Sequence, residues 1–189
     1  DHAYDFSIGW KRPTCELVEN LDDESKFRCN NLDYTEALYE QVLGFFSTAE
    51  GGVYTQHSDM LGKNICRPAG YTISDLIEVG LEEPNVTMVR ALSPEACVES
   101  LASGESDIAL LDIDAANVHI AELGIHDAFV LSESLNRISS LHAVIAKTHP
   151  NGQDLIDTVN SGLRKMKDSG QWFEIVRRHL TEHRQKSQS

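Results

Sequence analysis

The sequence predicts an α/β protein built on a parallel sheet with helices on both faces. Between residues 61 and 131, strand-like and helix-like stretches alternate as β-α-β-α-β-α-β, the order that parallel sheets require. The run "SDIALLD" is apolar on both alternating faces, as a buried strand must be. The helix-like stretches between strands carry start and stop residues. In "SPEACVESLASG", Ser93 stands at the N-cap, Pro94 at the first helical position and Gly104 at the stop.

The elements follow in order. "YDFSIGW" reads as a strand, and "KRPTCELVENLDDESKFRCNN" as a polar loop with a short helical piece near Asp22–Phe27. "EQVLGFFST" is an apolar, β-rich strand, ended by "AEGG". "GKNICRPAG" is a strand and turn, and "TISDLIEVGL" a helix in which Thr72 and Asp75 form an acidic capping box. "VTMVRAL", "SDIALLD", "AFVLSES" and "SLHAVIAKT" are further strands, and "IDAANVHIAELG" a helix. The last stretch, from Gly152, predicts two amphipathic helices broken at Ser169-Gly170, then a fraying polar tail.

Composition narrows the function. The 189 residues carry a formal net charge of −14, which argues against nucleic acid and against anionic membrane surfaces as partners. No apolar run reaches the roughly 18 to 20 residues of a membrane span, so no membrane insertion is expected. The abrupt opening at Asp1 predicts a processed or truncated start, with a signal peptide removed. The four cysteines form no CxxC pair. They are either four buried thiols or two local disulfides, Cys15–Cys29 and Cys66–Cys97. The even count and local pairing favour disulfides and an oxidising compartment.

Ligands of such sheets bind beyond the carboxyl ends of the strands. The turn "RPAGYT" lies there, where Gly70 allows close backbone approach and Thr72 adds a hydroxyl at a helix start. It reads either as a simple helix cap or as a seat for a carboxylate or small phosphate. Asp112 ends an otherwise apolar strand, either as an N-cap or as a charge awaiting a partner. Together the two describe a site for a zwitterion.

These stretches, "LGKNICRPAGYTISDLIEVGL" followed by "CVESLASGESDIALLDIDAANVHIAEL", resemble the second lobe of family 3 extracellular solute-binding proteins, the periplasmic amino-acid receptors of ABC importers. "RCNNLDYTEALYEQVLGFF" is similar to the family's Arg, its "F-[ST]-D-P-Y-Y" and its hinge strand, and "LIDTVNSGLRKMKDSGQWFEIVRRHL" to its C-terminal helices. The resemblance implies a two-lobed periplasmic-binding-protein type II fold. Residues 51–140 would be a complete lobe 2, and residues 1–50 with 141–189 a partial lobe 1 lacking its N-terminal part. Two strand crossings, near Gly44–Thr48 and Leu141–Ala146, would let the lobes close on a ligand.

By the same resemblance, Arg28 would clamp a ligand carboxylate, Thr72 beside Tyr71 would hold it from the second lobe, and Asp112 would take the ammonium. Gly9 and Trp10 would offer backbone groups and an indole to the ligand, while Arg67, at a position that is normally apolar or small in the family, would add a second positive group. The chain departs from the family by its insertion "KRPTCELVENL" and by Ala37 in place of the usual Pro. The implied function is capture of a small zwitterionic ligand, an amino acid or derivative, for delivery to an ABC transporter permease in the bacterial periplasm. No cofactor and no metal are expected. The alternatives are an enzyme resembling cyclohexadienyl dehydratase and the ligand-sensing domain of a receptor. His179 and His183, four apart in "HLTEH", lack the acidic pattern of a zinc protease, and no nucleophile elbow is present. The "NVT" sequon at Asn85 is expected to be incidental.

Overall fold

The computed structural model describes residues 4–186. It divides into two units, one made of residues up to Glu40 with Ser139–Gln185, the other of Gln41–Ile138. The chain passes from the first unit to the second inside one strand, β3 (Tyr39–Thr48), and returns inside another, β8 (Arg137–Ala146).

In the second unit the central strand is β6 (Ile108–Asp112). It runs parallel to β4 (Asn64–Cys66), which in turn lies parallel to β5 (Thr87–Val89). On its other side β6 pairs antiparallel with β3, Leu43 opposite Asp112 and Ser47 opposite Ile108. The expected helices between these strands form: α2 (Ser74–Ile77), α3 (Pro94–Ser103) and α4 (Ile113–Glu122). Ser93 caps α3 as its sequence predicts, its side chain accepting from the Ala96 N–H.

Alternation along β6 builds two cores. Ile108 and Leu110 enter one with Leu43, Phe45, Met60, Ile65 and Leu76. Ala109 and Leu111 enter the other with Phe46, Val98, Leu101 and the cysteines 66 and 97. A strand that serves two cores has no polar face, which is why "IALL" reads as one unbroken apolar run. The Cys66–Cys97 disulfide fastens α3 to β4 inside the second core. Gly44 of β3 permits the close packing above it: a Cβ there would lie 2.5 Å from Leu131 Cδ1 and 2.9 Å from Ile113 Cγ1.

Two expectations need correction. The strand β7 (Phe129–Leu131) does not extend the parallel set; it pairs antiparallel with β3, Phe46 opposite Leu131. Alternating β and α stretches fix the element order but leave open which edge the last strand takes. The helix expected across "TISDLIEVGL" is a single turn, and its N-cap is Ile73 rather than Thr72. Asp75 is buried and faces the Arg137 guanidinium at 3.5 Å, beside the Glu78–Arg137 pair.

In the first unit, β1 (Ser7–Lys11) and β2 (Leu32–Tyr34) both pair antiparallel with β8. Between them, the polar insertion folds into a 3-10 turn at Cys15–Asn20 and the helix α1 (Asp23–Asn31). Asp22 caps α1 by accepting from the Ser25 N–H at 3.0 Å. The Cys15–Cys29 disulfide ties the turn to the helix. Both expected disulfides are therefore present. The amphipathic pair α5 (Gly152–Asp168) and α6 (Gln171–Lys186) breaks at Ser169-Gly170, as expected. α5 buries Ile156 and Leu163, and Trp172 of α6 donates from its indole to the Leu38 carbonyl at 2.8 Å.

Candidate functional site

The residues expected to bind a ligand fall into two groups, one in each unit. In the first, Gly9 has φ +84 and forms a bulge: Ile8 faces Ala143 and Trp10 faces the adjacent His142. Only glycine takes that conformation cheaply, and the extra residue re-aims the side chain that follows it. That side chain is Trp10, whose indole N–H donates to Ser7 Oγ at 2.9 Å. Over its ring, 4.9 Å from the centroid, lies the guanidinium of Arg28, which is 4% exposed. Arg28 also pairs through Nη2 with Glu24, one turn earlier on α1. So Gly9, Trp10 and Arg28 are brought together, and sequence reasoning missed Glu24. Its four-residue spacing from Arg28 is a helical ion-pair signal that was available. Close by, burial raises the Tyr34 phenol pKa, opposed by the charges of Arg28 and Arg12.

In the second unit, the turn after β4 is clamped by two arginines. Arg67, 2% exposed, donates from Nε to the Thr72 carbonyl at 3.3 Å and from Nη1 to the Leu110 carbonyl at 2.9 Å. Its guanidinium sits 5.2 Å from the centre of the Tyr71 ring. Arg90 donates from Nη2 to the Tyr71 carbonyl at 2.9 Å. Arg90 was missed from the sequence, although it follows β5, the parallel neighbour of β4, and so reaches the same strand ends.

Thr72 is 2% exposed, and its hydroxyl oxygen accepts from the Ser74 N–H at 3.1 Å. Ile73 stands at the N-cap of α2, so Thr72 lies one residue before the cap and accepts from the first helical residue. A macrodipole sums over aligned peptides, and a one-turn helix has few to sum. Positive charge at this turn comes from Arg67 and Arg90 instead. Asp112 caps α4, accepting from the Ala115 N–H at 2.8 Å. It stands two residues beyond Leu110, whose carbonyl takes the Arg67 bond, so Arg67 spans from the turn to the β6 end that bears Asp112. Gly70, with φ +79, lies in the same turn as Tyr71 and Thr72.

No group of three or more His, Cys, Asp or Glu side chains among the described residues is arranged to hold a metal ion. His179 pairs with Glu182 at 3.5 Å, and the His183 side chain lies outside the described residues. No helix among the described residues is long and apolar enough to cross a membrane.

No family model matches the sequence, and no curated protein matches it. Solved structures do resemble the fold. One is the substrate-binding protein of an amino acid ABC transporter, with TM-score 0.66 at 18% identity over 91% of this chain and 69% of that one. Another is the amino acid ABC transporter substrate-binding protein AbpA from Streptococcus pneumoniae bound to L-arginine, with TM-score 0.64 at 17% identity over 88% and 65%. A third is a histidine kinase sensor domain with similarity to periplasmic binding proteins, with TM-score 0.67 at 14% identity over 80% and 64%. The chain thus has a periplasmic-binding-protein type II architecture and spans 64% to 69% of these three chains.

Proposed function

We propose that this chain, on a scaffold shared with amino-acid-binding proteins, binds a small amino-acid-like solute outside the cytoplasm and passes it to an ABC permease. The observation that carries the reading is Arg28. A buried guanidinium, lying over the Trp10 ring and paired with a carboxylate that is itself 41% exposed, is a carboxylate receptor whose present partner can be exchanged. A ligand carboxylate replaces Glu24, and the chain keeps its guanidinium paired in both states. Asp112 takes the ammonium at the end of β6, and the backbone of the Gly70–Thr72 turn, steadied by Arg67 and Arg90, completes the polar contacts. The role is binding: every residue in this set recognises charge, and none is called on to move a proton. The net charge of −14 favours approach of a neutral or cationic solute over an anionic one.

Calorimetry with L-arginine tests the reading. Saturable binding should weaken roughly thirty-fold or more in Arg28→Ala and Asp112→Asn, the usual consequence of removing one partner of a buried charged pair. Saturable arginine binding that survives Asp112→Asn unchanged removes the ammonium role. A panel of other amino acids then ranks the side-chain preference.

A further inference from the structure

The first unit holds a cavity of about 370 Å³ that none of the residues proposed to bind the solute, Arg28 and Trp10 included, helps to line. Its walls come from the insertion, from β2, from the end of β8 and from the first turns of α5, and the Cys15–Cys29 disulfide forms part of them. Four polar side chains on those walls are incompletely used. The Tyr34 hydroxyl is enclosed and has no hydrogen-bond partner among the described residues. Lys147 donates to the Cys29 carbonyl at 2.7 Å and meets no carboxylate among the described residues. Asp33 makes no side-chain hydrogen bond or ion pair among them either. Arg12 has only the exposed Glu16 at 3.3 Å, a pair of small energetic weight.

An enclosed polar atom without a partner is costly, so a cavity that holds the Tyr34 hydroxyl beside three exposed charges is suited to a ligand that supplies the missing groups. The charges count out as two cations and one anion. In a chain whose net charge is −14, that is a local reversal of sign. We propose that this cavity is a second solute site, separate from the Arg28–Asp112 set, for a small molecule with two carboxylates and one ammonium: an acidic amino acid. Arg12 and Lys147 take the carboxylates, Asp33 takes the ammonium, and the Tyr34 hydroxyl donates to a carboxylate oxygen. The cavity volume lies within the range of small-molecule pockets. This site stands independently of the function proposed above.

L-glutamate is the probe, titrated into the whole chain by calorimetry, with glutarate and L-glutamine as the analogues lacking the ammonium and the side-chain carboxylate. Glutamate should bind saturably and more tightly than either analogue. Lys147→Ala should weaken it roughly ten-fold or more, and Tyr34→Phe, which keeps the ring, several-fold. Asp33→Asn should weaken glutamate while strengthening glutarate, because it removes a favourable partner from one and a like charge from the other. Lys147 and Asp33 are exposed side chains, so these substitutions leave the core untouched. Absence of saturable glutamate binding overturns the proposal, as does binding indifferent to both Lys147→Ala and Asp33→Asn. Glutamate binding lost in Asp112→Asn but kept in Lys147→Ala assigns the ligand to the other site and likewise overturns this one.

Discussion

The guanidinium of Arg28 lies 4.9 Å from the centre of the Trp10 ring, with the indole held in turn by Ser7. Trp10 therefore reports on the position of its neighbour. The chain has two tryptophans, so Trp172→Phe leaves Trp10 as the lone indole emitter. Titrating that variant with L-arginine should give a saturable change in emission, and Trp10→Phe should abolish the signal. Trp10→Ala should also weaken binding about five-fold, the worth of a partly buried cation–ring contact. An emission unchanged under proven binding separates Trp10 from the ligand.

Arg67 should matter for stability more than for affinity. Its two bonds join the Thr72 and Leu110 carbonyls from a position 2% exposed, and lysine cannot span both. Arg67→Met leaves two buried acceptors with lost partners, a cost of about 2 to 3 kcal/mol. For a chain of this size that lowers the melting temperature by about 4 to 12 °C. A melting temperature within a degree of the parent shows that the turn holds without it.

The two disulfides should reduce in sequence. Cys66 and Cys97 are completely buried, whereas Cys29 is 9% exposed and Cys15 more so. Mild dithiothreitol with mass-spectrometric thiol labelling should find Cys15 and Cys29 first. Loss of either bridge relaxes the unfolded chain: the separations of 14 and 31 residues correspond to about 3 and about 3.7 kcal/mol in the loop-entropy model. Simultaneous labelling of all four cysteines contradicts the order.

Acid should find one histidine early. His57 has its pKa lowered, first by burial and then by the charge of Arg137; its ring meets Phe45 edge-on and its Nε2 is enclosed without a partner. The fold thus prefers the neutral ring. Its contribution is complete above the unfolded value near 6.5 and is lost as pH falls from there through the lower folded value. Thermal midpoints should decline across that window, and His57→Gln should flatten the decline. The carboxylates whose pKa values are lowered, Asp59 and Glu95, act only in more acidic solution, so the two effects separate.

Much of this was legible in the sequence, for reasons that differ by residue. Ser93, Pro94 and Gly104 mark α3 because caps act locally. "IALL" announces β6 because a strand buried on both sides must be apolar throughout. The antiparallel course of β7 was not legible, since strand order depends on packing over long separations. Nor was the shortness of α2: Asp75 sits where a capping carboxylate would, but Arg137, 62 residues later in the chain, takes it into the interior. Gly9, Trp10 and Arg28 do meet, as do Gly70, Tyr71, Thr72 and Arg67. What sequence could not say is that Arg67 spends its donors on carbonyls, leaving it as a brace for the turn, nor that Arg90 braces the same turn from the next strand.

The alternation along β6 has a consequence for how the second unit comes apart. Ile108 and Leu110 are shared with one core, Ala109 and Leu111 with the other, so neither core can dissolve while these four residues keep their places. The unit should therefore open as one cooperative block, with its frayed ends and loops exchanging their amide hydrogens first. The peptide hydrogens of Ile108–Leu111 should be the last to exchange with deuterium. They should be released together, at a rate that follows global unfolding, whichever of the two cores a mutation has weakened.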